Sequence, residues 1–114
     1  MTTSHHIYSA RARSLAAALV ADTFAHRHNL GKNQKAYLRA VVNYHGTGTS
    51  WVFTSRPSFN ERVRASLVKK GLLIESVREI TTWNNAHKHT VREVAPTAEA
   101  LELFDAALQH YADE

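Results

Sequence analysis

Eight histidines and no cysteine in 114 residues bound the chemistry open to this chain. Without thiols there is no disulfide framework, thiolate metal site or cysteine nucleophile, so any metal would need histidine or carboxylate ligands. Four of the histidines form two i, i+2 pairs, His26-Arg27-His28 and His87-Lys88-His89. Residues two apart share a face on a strand and diverge on a helix, so only the second pair could chelate, if it lies on a strand. No third ligand stands at a recognisable spacing, and no metal or other cofactor is expected. The sequence has no glycine-rich phosphate loop, HExxH pair or nucleophile elbow, and no carboxylate pair stands out in an apolar setting. The chain is not expected to be an enzyme.

The remaining chemistry is charge. Fourteen Lys and Arg against ten Asp and Glu leave a formal net charge of +4. Residues 1–60 carry seven basic side chains (Arg11, Arg13, Arg27, Lys32, Lys35, Arg39, Arg56) and one acid, Asp22. From Thr97 onward there are five acids (Glu99, Glu102, Asp105, Asp113, Glu114) and no Lys or Arg. A chain polarised in this way turns a basic face toward a polyanion and keeps its C-terminal segment away. At 44% hydrophobic and 21% charged residues, the composition is that of a folded globular protein, and the length suits one domain. No apolar run approaches the roughly 18 to 20 residues of a membrane span, and no signal-type cleavage motif follows the first arginines, so a cytoplasmic protein is expected.

The charges need elements to position them. From residue 4 to about 28 no Gly or Pro interrupts an alanine-rich run in which Tyr8, Ala12, Leu15 and Leu19 recur at helical steps. After Asn29, Leu30 and Gly31, Asn33 reads as the N-cap of a second helix carrying Ala36, Tyr37, Leu38, Val41, Val42 and His45, closed by Gly46. Trp51, Val52 and Phe53 are β-prone and fit either a short strand or a buried, weak helix. Ser55, Arg56, Pro57 and Ser58 form a turn into a helix with Phe59, Val63, Leu67 and Lys70 along one side and Gly71 at its end. Residues 72–81 and 90–95 are compatible with two strands joined through the polar stretch Trp83, Asn84, Asn85, Ala86, His87, Lys88, and Pro96 ends the pairing. Thr97 then N-caps a last helix, with Leu101, Phe104, Leu108 and Tyr111 at the steps of a packing seam.

Three motifs in this order, Ser55-Arg56-Pro57-Ser58-Phe59, Leu67-Val68-Lys69-Lys70-Gly71-Leu72 and Ala95-Pro96-Thr97-Ala98, resemble those of winged helix-turn-helix proteins. The likeness is greatest to the small prokaryotic and phage regulators of the MarR and PadR sort and covers about residues 32–108. The resemblance implies an α+β, mainly helical fold in a single domain: an N-terminal helix over 4–28, a winged-helix core with a β-hairpin wing over 32–95, and a C-terminal helix over 97–112. It makes the helix after Pro57 the recognition helix and puts the second helix of the helix-turn-helix between Gly46 and Ser55, a stretch whose residues are poor helix formers. It implies double-stranded DNA as the partner and transcription regulation as the function.

With Val63 turned inward, Ser58, Glu61, Ala65 and Val68 point outward, and Arg62 and Arg64 fall on opposite flanks where they would neutralise phosphates. Arg56 and Lys69 add charge near the two ends. Ser58 and Asn60 could reach base edges or phosphate, while Glu61 complements the helix dipole. On the wing, Asn84, Asn85, His87 and Lys88 are the donors available to a neighbouring groove. The apolar stripes of the terminal helices exceed what a small core covers, so a homodimer is expected through Leu15, Leu19, Leu101, Phe104, Leu108 and Tyr111. The rival reading is a winged-helix module that binds a protein, such as a phage-encoded binder of a host protein, without DNA readout. Steep salt dependence of duplex binding separates the two.

Overall fold

Capping and termination signals set the bounds of the elements, of which seven lie among the described residues. The computed structural model describes residues 8–47, 50–54, 61–81 and 88–112. Within them run α1 (Ala10–His28), α2 (Lys32–His45), β1 (Trp51–Thr54), α3 (Glu61–Lys69), β2 (Leu73–Thr81), β3 (Lys88–Pro96) and α4 (Ala98–Ala112). The fold is α+β and mainly helical. Among the described residues no helix is long and apolar enough to cross a membrane.

Helix α1 starts at Ala10, where the Ser9 hydroxyl accepts from the Ala12 N–H at 3.0 Å. It ends at Asn29, held in the left-handed region at φ 53°, which asparagine tolerates better than most residues. The Leu30 N–H still bonds back to the Ala25 carbonyl, so the chain re-enters a helix at Lys32. The N-cap of α2 is therefore Gly31 and not Asn33, with the Gly31 N–H donating to Gln34 Oε1 at 2.9 Å.

Helix α1 packs against both α2 and α4. Its buried side chains are Ala12, Ala16, Ala17, Val20, Ala21 and Phe24, whereas Leu15 is only half-buried and Leu19 is 41% exposed. The seam thus runs Ala12, Ala16, Val20, Phe24 and not through the leucines as predicted. Alanines let two helices approach α1 closely at once, where leucines would hold them apart. Gly46 shows how close the packing is: a Cβ there would lie 3.0 Å from the Phe104 ring and 3.2 Å from Arg13 Cδ.

In α4 the Ala100 N–H donates to Thr97 Oγ1 at 3.3 Å, as the sequence predicts. Phe104 and Leu108 are completely buried inside this one chain, beside Ala100 and Ala107, while Leu101 and Tyr111 are half-buried. The expectation that Phe104 and Leu108 face a second subunit is corrected: the α4 stripe is covered by elements of its own chain.

The three strands form an antiparallel sheet in the order β1-β3-β2. Trp51 lies opposite Val94 in one pair, and Leu73 opposite Pro96 through Thr81 opposite Lys88 in the other. The stretch predicted to hold the second helix of a helix-turn-helix thus contains a strand at Trp51–Thr54. Its aromatic residue suits the pleated surface, and the Trp51 ring lies 4.6 Å from that of Tyr37 on α2. Pro96 is the last residue of β3, where a missing N–H costs little. Leu73, Val94 and the preceding Leu72 are buried against the helices.

Candidate nucleic-acid interface

Helix α3 stops where Gly71 takes φ +75°, with the Gly71 N–H bonded to the Val68 carbonyl and the Leu72 N–H to that of Leu67. Such an ending favours glycine, because a Cβ is strained at this φ. The helix has few apolar residues. Burying Leu67, with Val63 and Val68 half-buried beside it, carries Arg64 inward as well, since it lies one turn before Leu67.

Arg64 is only 6% exposed. Its predicted place on a groove-facing flank is corrected: the guanidinium bonds the Glu75 carboxylate on β2 and lies 3.8 Å from Glu61. Glu75 also stands 3.9 Å from Arg92 on β3. A buried guanidinium is tolerated only where a carboxylate meets it, so this network ties α3 to the base of the β2–β3 hairpin. The Tyr37 phenol senses it. Burial pushes its pKa above the ordinary 10.0, the Arg64 charge opposes that rise, and the Glu75 charge adds to it. A second tie runs to α2, where Gln34 Nε2 donates to Ser66 Oγ at 2.8 Å.

Arg62, Ala65 and Lys69 remain exposed, at i, i+3 and i+7 along one face of α3. This stripe puts a small residue between two cations, and Val68, predicted to point outward, is turned partly into the core. Lys88 is exposed at the start of β3. Arg56, Ser58, Asn60, Asn84, Asn85 and His87 lie outside the described residues. Among the described residues no group of three His, Asp or Glu could hold a metal ion.

In the sequence Lys32, Lys35 and Arg39 contribute to the basic charge of residues 1–60 but mark no site. They line one open groove together with Ala36, Ala40 and Asn43 of α2 and Ser14 of α1. Arg39 donates to Ser14 Oγ at 3.3 Å, and Lys35 pairs with Asp22 at 2.5 Å. The i, i+3, i+7 spacing of these cations on a helix without a single acid was the available signal. At the other end of the charge pattern, Glu99 in the first turn of α4 is held by Arg27 of α1 at 3.3 Å.

No protein-family model, curated protein or solved structure matches this chain.

Proposed function

We propose that this protein binds double-stranded DNA as a cytoplasmic transcriptional regulator of the winged helix-turn-helix type, working as a homodimer. The observation that carries the reading is the outward stripe of α3: Arg62 and Lys69 flank Ala65, and Arg64 is turned away to anchor the helix. A helix with this profile suits the major groove, because the small central residue lets its backbone approach while the two cations meet phosphates. Lys88 extends the positive surface onto the hairpin, and the groove at Lys32, Lys35 and Arg39 offers further phosphate contacts. With a strand where the family has its second helix, the tilt of α3 is set by the Arg64–Glu75 tie and by Gln34–Ser66.

The test is anisotropy of a labelled duplex titrated at about 50 and 200 mM salt, where neutralised phosphates give steep loss of affinity. Changing Arg62 and Lys69 together to Ala should weaken binding to all duplexes alike and flatten the salt slope by about one to two units. Absence of duplex binding at the lower salt would overturn the reading. It would favour a protein-interaction module, for which the specific observation is the exposed apolar side chains of β2.

A further inference from the structure

Strand β2 stands at the edge of the sheet, and among the described residues nothing pairs with its outer side. Edge strands are normally protected by proline, lysine, short length or a cover, since their unpaired N–H and C=O groups recruit other strands. This one runs nine residues, Leu-Ile-Glu-Ser-Val-Arg-Glu-Ile-Thr, with neither proline nor lysine. Ile74, Val77 and Ile80 are 55%, 56% and 40% exposed, three of the five large hydrophobic residues exposed among the described positions.

Their spacing is symmetric about Val77. If a second β2 ran antiparallel with Val77 opposite Val77, Ile74 of each copy would face Ile80 of the other. Directly opposed residues share a face, so the isoleucine pairs fall on one side of the sheet and the valine pair on the other. Shifting the pairing by one or two residues in either direction breaks all three pairs: Ile74 and Val77 then face polar or charged residues or the strand end in every case, and Ile80 keeps an apolar partner, Leu73, in only one of the four shifts. A two-residue shift, for example, puts Ile74 opposite Arg78 or beyond the strand end. Glu75 meets Glu79 in the symmetric register, but the Glu75 charge is already engaged by Arg64 and Arg92.

From this self-complementary spacing we infer that β2 is the dimer interface, pairing two copies of the chain into a continuous six-stranded antiparallel sheet centred on Val77. The inference deepens the DNA-binding reading, because a two-fold axis through Val77 and perpendicular to the sheet puts both α3 helices on the same side. It moves the homodimer contact from the terminal helices, whose central apolar residues are already buried, to the hairpin.

Sedimentation equilibrium of the full chain without DNA, from about 1 to 100 µM, tests it directly. A monomer–dimer equilibrium is expected, weakened at least tenfold by Ile74→Lys with Ile80→Lys, with the circular dichroism spectrum unchanged because both side chains are exposed in the single chain. Register is read in this cysteine-free background by single thiols. Under mild oxidation Val77→Cys should cross-link to itself, since opposed Cα atoms about 4.5 to 5.5 Å apart lie within disulfide range. Ile74→Cys and Ile80→Cys should each fail alone, because six residues of offset is about 20 Å, and should cross-link when mixed. A chain monomeric throughout the range, a dimer indifferent to the lysine pair, or Ile74→Cys cross-linking to itself would each overturn the inference. Arg62→Ala with Lys69→Ala should leave the dimer intact, so loss of DNA binding and loss of pairing are separately visible.

Discussion

Between α1, α2 and α4 the contacts are made by Val20, Phe24, Leu38, Val41, Phe104 and Leu108, side chains with almost no exposure. At the junction of α3 with the hairpin, a guanidinium, two carboxylates and a second arginine share the work with Leu67 and Leu73. Apolar packing is non-directional and scales with buried area, so the helical layer gains its stability from volume filled. Charged hydrogen bonds demand a particular geometry and contribute less net free energy, because desolvation offsets them. The helical layer holds the molecule together, while the junction sets where α3 points.

The largest expected effect belongs to the helical layer. Phe104→Ala, which empties a position with no exposure beside Gly46, should cost about 3 to 5 kcal/mol in chemical denaturation. A loss under about 1 kcal/mol would mean that α4 is not part of the cooperative core. At the junction, Arg64→Met should cost about 2 to 3 kcal/mol, below the usual range for breaking a buried pair because Arg92 still faces Glu75. Arg64→Met combined with Glu75→Leu should recover most of that stability, yet leave duplex binding impaired because α3 has lost its directional tie. Recovery of both together would erase the distinction between the two regions.

The smallest effect is alkaline. The Tyr37 phenol has its pKa raised in the folded state, so its neutral form is favoured there. That contribution is fully present below the ordinary value of 10.0 and is lost as pH rises through the higher folded value. Stability should therefore decline above pH 10.0, and Tyr37→Phe should flatten that decline in melts taken across the alkaline range. An identical decline in the variant would assign it to other groups.

Local signals in the sequence located most elements. The absence of Gly and Pro before Asn29, the glycines at 46 and 71, and Thr97 ahead of α4 each act within one turn of the backbone they cap, so they can be read without knowing what packs nearby. The same holds for the hairpin, whose strands came within two residues of those predicted at each end. The candidate site was partly legible for the same reason: Arg62 and Lys69 are polar residues on a short helix with one apolar side, and both are exposed.

Tertiary structure decided the helix phases and the non-local pairings. An alanine-rich helix has almost no periodic contrast, so only the simultaneous approach of α2 and α4 selected the Ala12, Ala16, Val20, Phe24 face of α1 over its leucines. Arg64 carries the same charge as Arg62, and only Glu75, eleven residues away on β2, made its burial tolerable. Trp51–Thr54 became a strand because β3, some forty residues further on, supplied the ladder. In each case the deciding partner lies far along the chain, and the free energy of meeting it exists only once the fold has brought the two together.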